Sequence, residues 1–343
     1  MDLPLIWAAI IAMAVLAYAL LDGFDLGVGL FFPTMSDSEK DAAVETIAPV
    51  WDGNETWLVL GGGGLYATFP LAYATVLPAF YPLVIAMLLA LVFRGVSMEY
   101  RHKTKRIRFR KFWDFGFFAG SLVAALSQGI MLGAFIQGIN IVDRSYAGGW
   151  YDWLTPFSLL CGVAIVFGYA LLGATWLVMK TRGSMNRRVR GLLPRLAWIV
   201  FAVIVVLSTW TPFLDERLTE RWFSWPNILL LAPIPLLVTL VTFLLTRSAR
   251  NRSGSDVRPF VFAEALFIVT FMGFGISSYP YIVPHQLTIW EAAAPDESLS
   301  FLLIGTAVLL PIIIGYTAHS YWVFRGKTVS DAQESPDSQG VQA

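Results

Sequence analysis

The chain has one cysteine, Cys161, three histidines, and few charges: Lys, Arg, Asp and Glu together make up 14% of its 343 residues. A single cysteine excludes an intrachain disulfide and any cysteine-built metal cluster. Charge this sparse excludes an ordinary soluble domain, where about a quarter of residues are charged. The histidines are scattered: His102 in a basic stretch, His285 after YPYIVP, and His319 near the end of the last apolar run. A bis-histidine haem needs two ligands on facing helices at one depth, and no such pair lies within the apolar runs. One histidine with one of the nine methionines stays open as a ligand set. Nucleotide-binding glycine loops, HExxH and Ser-His-Asp patterns are missing, so the chain reads as empty of self-contained catalytic machinery. There is no basic n-region at the N-terminus, and the apolar run there is too long for a cleaved signal, so it is expected to be a first span.

What the chain does have is apolar length. Hydrophobic residues make up 57% of it and the mean hydropathy is +0.64. Runs of about 20 apolar residues cross a bilayer as helices. They fall near 4–32, 49–74, 76–97, 113–138, 156–179, 196–214, 226–246, 260–282 and 299–323. This predicts an all-α integral membrane protein of about nine transmembrane helices. The second and third are separated only weakly, by the Pro78/Pro82 region. Residues 1–325 are expected to form a single polytopic transmembrane domain, and 326–343 a polar, disordered cytoplasmic tail.

Charge sets the orientation. Arg94–Lys111, Lys180–Arg195, Arg247–Arg258 and the start of the tail hold twenty of the chain's 24 basic residues. With nine spans, these stretches and Lys40 share one side, and only Arg144, Arg217 and Arg221 lie opposite. The positive-inside rule makes the rich side cytoplasmic, with the N-terminus outside and the C-terminus inside. The acidic stretch 33–48 on the same side does not contribute to this bias. The outer loops are short and aromatic, with Trp150, Trp153, Trp222 and Trp225 forming an interfacial belt. They leave no room for a substrate-binding ectodomain, and no nucleic-acid partner is expected.

Polar residues inside the spans are the candidate functional groups. The stretch YALLDGFDLGVG puts Asp22 and Asp25 three apart in the first span, on one helix face. An Asp near a span's centre costs about 2.5–3.5 kcal/mol on insertion scales, so this face must turn to protein or water. Gly23, Gly27 and Gly29 let a neighbouring helix come close, and the run Gly61–Gly64 offers a flat surface for the same purpose. Asp52, Asn54 and Glu55 open the second span, Asp114 the fourth and Glu264 the eighth. Asp52, Asp114 and Glu264 fit simple capping of helix N-termini as well as a functional role. Asp22 and Asp25 are too deep for capping. They fit either a structural hydrogen bond to a neighbouring helix or a proton relay, about 15 Å further in than Asp52 and Asp114 at 1.5 Å per residue.

YALLDGFDLGVG, IAPVWDGNETWLVLGGGGLYATFP, FRGVSMEYR and KFWDFGFFAGS, followed by SYPYIVPHQLTIWEAA and VLLPIIIGYTAHSYW, resemble subunit II of the cytochrome bd-type quinol oxidases, from about residue 15 to 325. The chain's short length is similar to the cyanide-insensitive branch. The resemblance implies two four-helix bundles plus one peripheral helix. It implies a haem-bearing subunit I as partner, carrying haem b and haem d and the quinol site, with no cofactor on this chain. It allows a small single-span accessory subunit and bound lipids, and it places the chain in a bacterial plasma membrane. The complex it implies oxidises quinol and reduces dioxygen to water with cytoplasmic protons. Asp25 and Asp52 match acids implicated in a proton path, and Asp22 and Asp114 match motif positions. Together with Glu55 these are the candidate proton-path residues. Arg94, Tyr100 and Arg101 match a polar cluster. Val50 stands where some relatives carry a histidine. A purely structural partner of subunit I and a secondary transporter remain the alternatives.

Overall fold

The computed structural model describes residues 1–328. Its helices are α1 (Leu3–Phe31), α2 (Asp37–Ile47), α3 (Trp51–Thr68), α4 (Pro70–Lys103), α5 (Ile107–Gln137), α6 (Pro156–Lys180), α7 (Gly183–Trp210), α8 (Glu216–Phe223), α9 (Asn227–Leu231), α10 (Pro233–Arg250), α11 (Val257–Ser278), α12 (Ile289–Ala292) and α13 (Asp296–Val323). Among the described residues the only strands are two short loop hairpins, Ile141–Val142 with Ser145–Tyr146 and Tyr281–Val283 with Leu287–Thr288. Local chemistry starts several helices. The Asp2 carboxylate accepts from the Leu5 amide ahead of α1, and capping boxes open α2 at Ser36/Glu39 and α6 at Thr155/Ser158. Each satisfies amides that a helix N-terminus leaves free.

Eight of the helices are long and apolar enough to cross a membrane, taking α9 and α10 together. α3 is not, because its first turns carry Asp52, Asn54 and Glu55 and its middle four glycines. It nevertheless runs from the level of Asp25, inside the basic end, to the opposite end of the molecule. Asn54 bonds to Asp25 near the end of α1, while the Thr68 carbonyl accepts from the Ala294 amide beside the start of α13. Its 18 residues span about 27 Å at 1.5 Å each, close to the hydrocarbon thickness of about 30 Å. α3 is therefore the ninth crossing.

Helix neighbours define two rings of four. In the first, α1, α3, α4 and α5 each pack on the next and α5 closes onto α1. In the second, α6, α7, α10 and α11 do the same. α6 joins the rings by packing on both α1 and α5, and α13 lies outside, against α1 and α3. The bundles meet through glycine. A Cβ on Gly27 would fall 1.9 Å from the Tyr169 carbonyl oxygen, and one on Gly173 would fall 2.2 Å from the Gly27 carbonyl carbon. Beside this contact Phe24 stacks on Trp176 at 4.0 Å. Lipid supplies no hydrophobic drive between helices, so such close packing is what holds them.

Two expectations about α3 and α4 are corrected. The boundary between the second and third spans is at Phe69, not at Pro78/Pro82, and both of those prolines lie inside α4. A residue before proline disfavours the helical region, which breaks the chain before Pro70, whereas proline inside a membrane helix is tolerated. The four glycines do not make a close contact. A Cβ on Gly61 or Gly64 would meet Val15 or Ile11 at an ordinary 3.4 Å, and one on Gly62 or Gly63 would meet nothing within 4 Å.

All the basic stretches sit at one end. There Arg101 and Arg110 pair with Asp41, Arg188 with Glu39, and Arg190 and Lys327 with Asp256. The acidic α2 shares that end because it neutralises the basic loops around it. The start of the tail is tied there too: the Thr328 amide donates to the Lys180 carbonyl at 2.8 Å. The rest of the expected tail, 329–343, lies outside the described residues. At the opposite end Trp7 donates to the Leu299 carbonyl and Trp290 to the Asp2 carboxylate.

Candidate functional site

The buried polar centre lies inside the first ring. Asp22 and Asp25 of α1, Asn54 of α3 and Arg94 of α4 are all 0–1% exposed. Arg94 pairs with Asp22, and its other terminal nitrogen lies 3.5 Å from a carboxylate oxygen of half-buried Glu55. The Asn54 amide donates to Asp25 Oδ2 at 2.8 Å and to the Leu21 carbonyl at 3.3 Å. The hydroxyl of Tyr321, on α13, donates to Asn54 Oδ1 at 2.8 Å. Trp51 lies beside the guanidinium of Arg94, 5.8 Å from ring centre to carbon. Two carboxyls thus flank one cation with Asp25 beside them, and several polar atoms make no hydrogen bond: Asp22 Oδ2, Asp25 Oδ1, Arg94 Nε and Arg94 Nη1, the last paired only with Glu55.

A second network lies seven residues along α4, about 10.5 Å nearer the basic end at helical rise. Arg101, 1% exposed, donates to Asp114 Oδ1 at 2.5 Å and also pairs with Asp41. Lys40 reaches Asp114 Oδ2 at 2.8 Å, and Arg110 bonds Asp41. Burial opposes ionisation of Asp41, but the hydrogen bonds from Arg101 and Arg110 outweigh it and hold the carboxyl below its ordinary range. Both of Asp114's oxygens are engaged, and it lies two turns into α5, so it is no helix cap. It ties α2 and α4 to α5.

Of the five residues singled out in the sequence, the structure brings Asp22, Asp25 and Glu55 together. Asp114 belongs to the outer network. Asp52 is exposed, one turn from Glu55 on α3, and makes no capping bond, since the residue at the cap is Val50. The expected depth difference between Asp25 and Asp52 is much smaller than 15 Å: Asn54, two residues from Asp52, touches Asp25. α1 continues six residues past Asp25 before α2 and α3 turn back, so α3 begins well inside the end of α1. Of the matched polar cluster, Arg94 and Arg101 point inward, while Tyr100 is 52% exposed and rests near Trp113.

Sequence reasoning missed Asp41, Tyr321 and a buried string that runs from Tyr18 to Gln128 to Tyr169, linked at 2.8 and 2.6 Å. Tyr18 lies one turn from Asp22 on α1, so helical spacing from that acid could have flagged it. No local signal marks Tyr321. Glu264 lies on the α11 face between Phe260, which packs on Phe24 and Trp176, and Phe267, stacked on Tyr169. Its Oε1 is buried without a partner. His102 and His319 are exposed at the molecule's surface, and His285 lies in the hairpin at the opposite end from His102. Among the described residues no group of three His, Cys, Asp or Glu side chains could hold a metal ion.

Comparison with known proteins agrees along the whole chain. The family model for cytochrome bd terminal oxidase subunit II matches residues 3–324. The chain is 32% identical to cytochrome bd-I ubiquinol oxidase subunit 2 of Escherichia coli (strain K12), over 96% of each chain. It is 29% identical to cytochrome bd ubiquinol oxidase subunit 2 of Bacillus subtilis (strain 168), over 93% of this chain and 95% of that one. The fold is similar to a chain of the bd oxidase from Geobacillus thermodenitrificans, with a TM-score of 0.73 at 17% identity, covering 94% of this chain and 99% of that one. With nine crossings in two rings of four plus an outer helix, and a family match that runs almost from end to end, this chain belongs to the cytochrome bd terminal oxidase subunit II family.

Proposed function

We propose that the first bundle hands protons from the basic end of the molecule toward the oxygen-reducing centre of a quinol oxidase. In this reading residues 1–325 form one polytopic unit, paired with a subunit I that carries haem b, haem d and the quinol site. The names of the Escherichia coli and Bacillus subtilis relatives, each a ubiquinol oxidase subunit 2, support the quinol as electron donor. Reducing one dioxygen to two waters takes four electrons, from two quinols, and four protons. The scattered histidines favour placing the haems on the partner. Basic loops gathered at one end favour that end as cytoplasmic in a bacterial plasma membrane, with the N-terminus outside.

One observation carries the proton role: inside a membrane-spanning bundle two carboxyls, Asp22 and Glu55, flank one guanidinium, and a third, buried Asp25, lies beside them with only a neutral amide as partner. Intramembrane acids with more carboxyl than cation mark proton paths. Asp22 is held by Arg94. Asp25 keeps one oxygen free and receives only a neutral amide, so it is the member able to take up and release a proton. Asp52 is the exposed acid nearest the cluster on α3, and Asp114 serves the outer network. The buried Arg94–Asp22 pair also favours the purely structural alternative, in which the acids only join α1 to α4.

Asp25→Asn separates the two. It cannot carry a proton, yet it keeps hydrogen-bonding capacity. Under the relay reading, the purified complex retains its subunits and haem content. Oxygen consumption falls by at least about tenfold, because removing a proton-transfer group costs about 10²–10⁴-fold in the step it serves. Normal turnover in the assembled variant refutes the relay, and loss of assembly together with haem favours the structural role.

A further inference from the structure

α13 stands outside both bundles, with most of its surface exposed and Leu299 its one buried residue. It is hydrogen-bonded to the rest of the chain at its ends, where Trp7 donates to the Leu299 carbonyl at one and Lys180 to the Phe324 carbonyl at the other, and Leu310 in its middle packs near Tyr18 and Trp57. Near the second end, the Tyr321 ring sits against Phe24 of α1 and Trp176 of α6, with centroids 6.4 and 6.1 Å away. Those rings aim its hydroxyl at Asn54. Of all the buried polar groups, this is the one by which a peripheral helix reaches the acid cluster.

This contact and the Leu21 carbonyl together set the hydrogen-bond polarity of Asn54. An asparagine amide presents a donor at one end and an acceptor at the other, and which faces where is decided by its partners. The Leu21 carbonyl can only accept. It therefore holds Asn54 Nδ2, at 3.3 Å, on the side toward α1, where Nδ2 also donates to Asp25 Oδ2 at 2.8 Å. Asn54 Oδ1 then faces the Tyr321 hydroxyl, which donates to it. Turning the amide over would set its oxygen against Leu21's carbonyl and against an acceptor oxygen of Asp25. With Oδ2 already receiving a hydrogen, Asp25 Oδ1 is the oxygen without a partner.

We propose that Tyr321 is a positioning residue: through Asn54 it fixes the amide that occupies Asp25 Oδ2, and so assigns proton exchange at Asp25 to Oδ1. The inference rests on the relay reading of Asp25. The proton itself does not pass through Asn54, whose amide neither gains nor loses one. It enters and leaves at Oδ1, while Tyr321 and Asn54 keep Oδ2 as an acceptor. The charged and titratable groups around Asp25 are Asp22 of its own helix, Glu55 of α3 and Arg94 of α4. Tyr321 of α13 stands behind Asn54, and Glu264 of α11 acts on Tyr321 in turn.

The test is Tyr321→Phe in the purified, assembled complex, because phenylalanine keeps the ring packing and removes only the hydroxyl. Two quantities are read: the infrared band of the Asp25 carboxyl, identified by its loss in Asp25→Asn, and the pH profile of oxygen consumption. We expect the band to shift, the pH profile to move, and turnover to fall about 2–10-fold, the range one hydrogen bond supplies. Haem content should not change. If Tyr321→Phe fails to assemble, Asn54→Ala removes the same arrangement without touching α13, and the band should shift there too. An unshifted band with an unmoved pH profile in an assembled variant overturns the inference. Normal turnover in Asp25→Asn instead overturns the relay on which it rests, whatever the Tyr321→Phe band does.

Discussion

The two four-helix rings share an architecture and differ in what they bury. In the first, α1, α3 and α4 bring Asp22, Asp25, Asn54 and Arg94 out of contact with solvent. In the second, α6, α7, α10 and α11 bury rings and aliphatic side chains. Its buried Arg190 lies at the basic end, bonded to Asp256 and to the carbonyls of Ser248, Ala249 and Asn251 where α10 ends. Arg190 thus closes a helix C-terminus, a place where cations are favoured. Arg94 does nothing of the kind, since it answers carboxyls in mid-bundle. The second ring's ion pair, Arg190 with Asp256, lies at its basic end and not in mid-bundle. Glu264 is the exception in the second ring, a lone carboxyl placed against the seam between the two.

The comparison breaks most sharply at Arg94. Arg94→Met leaves Asp22 and Glu55 without a cation. Removing one partner of a buried pair costs about 3–5 kcal/mol, so the complex should lose thermal stability or fail to assemble. Asp22→Asn added to Arg94→Met should recover part of the loss. A single variant as stable as the parent would mean that the cluster holds little charge, and would bring the first ring close to the second.

A smaller effect tests the seam. Gly27→Ala drives a methyl into the Tyr169 backbone, where the approach leaves 1.9 Å. Overpacking of this kind costs about 1–3 kcal/mol, and the melting temperature of the complex should fall. Gly62→Ala meets open space in this chain and replaces the poorer helix former, which is worth up to about 1 kcal/mol in the other direction. Equal responses at the two positions would show that the bundles do not meet through Gly27. A fall at Gly62 alone would show that another chain covers that face of α3.

The smallest perturbation checks orientation, which both rings share. A cysteine placed at Arg187, at the start of α7, or at Arg250, at the end of α10, should resist a membrane-impermeant thiol reagent in intact cells and react after the membrane is opened. Stability and turnover should be near normal. Reaction in intact cells at both sites would reverse the topology for the two bundles together, and reaction at one alone would break their common sidedness.

Most of the architecture follows from composition and order. Nine apolar or near-apolar stretches, with basic residues after every second one, already set the crossing number and which loops share an end. Bilayer thickness and charge do not depend on which helix touches which. The acids of α1 were legible for the same reason, because three-residue spacing puts Asp22 and Asp25 on one face, and that face cannot meet lipid. Residues on α3 were not legible in this way. A helix that is polar at its start and glycine-rich in its middle has no apolar stripe to show which side points inward. Only packing on α1 decided that Asn54 and Glu55 reach the cluster while Asp52, one turn from Glu55, stays exposed, and that Gly62 and Gly63 meet nothing. Likewise only the tertiary structure decided that α3 begins well inside the end of α1, at the level of Asp25, and that Phe69 rather than Pro78 or Pro82 divides the second and third spans. Tyr321 is the extreme case. It lies 267 residues from Asn54, and no periodicity along a chain reports a contact between its two ends. That contact depends on where α13 comes to rest against α1 and α6, through ring packing whose partners are known only once the chain has folded.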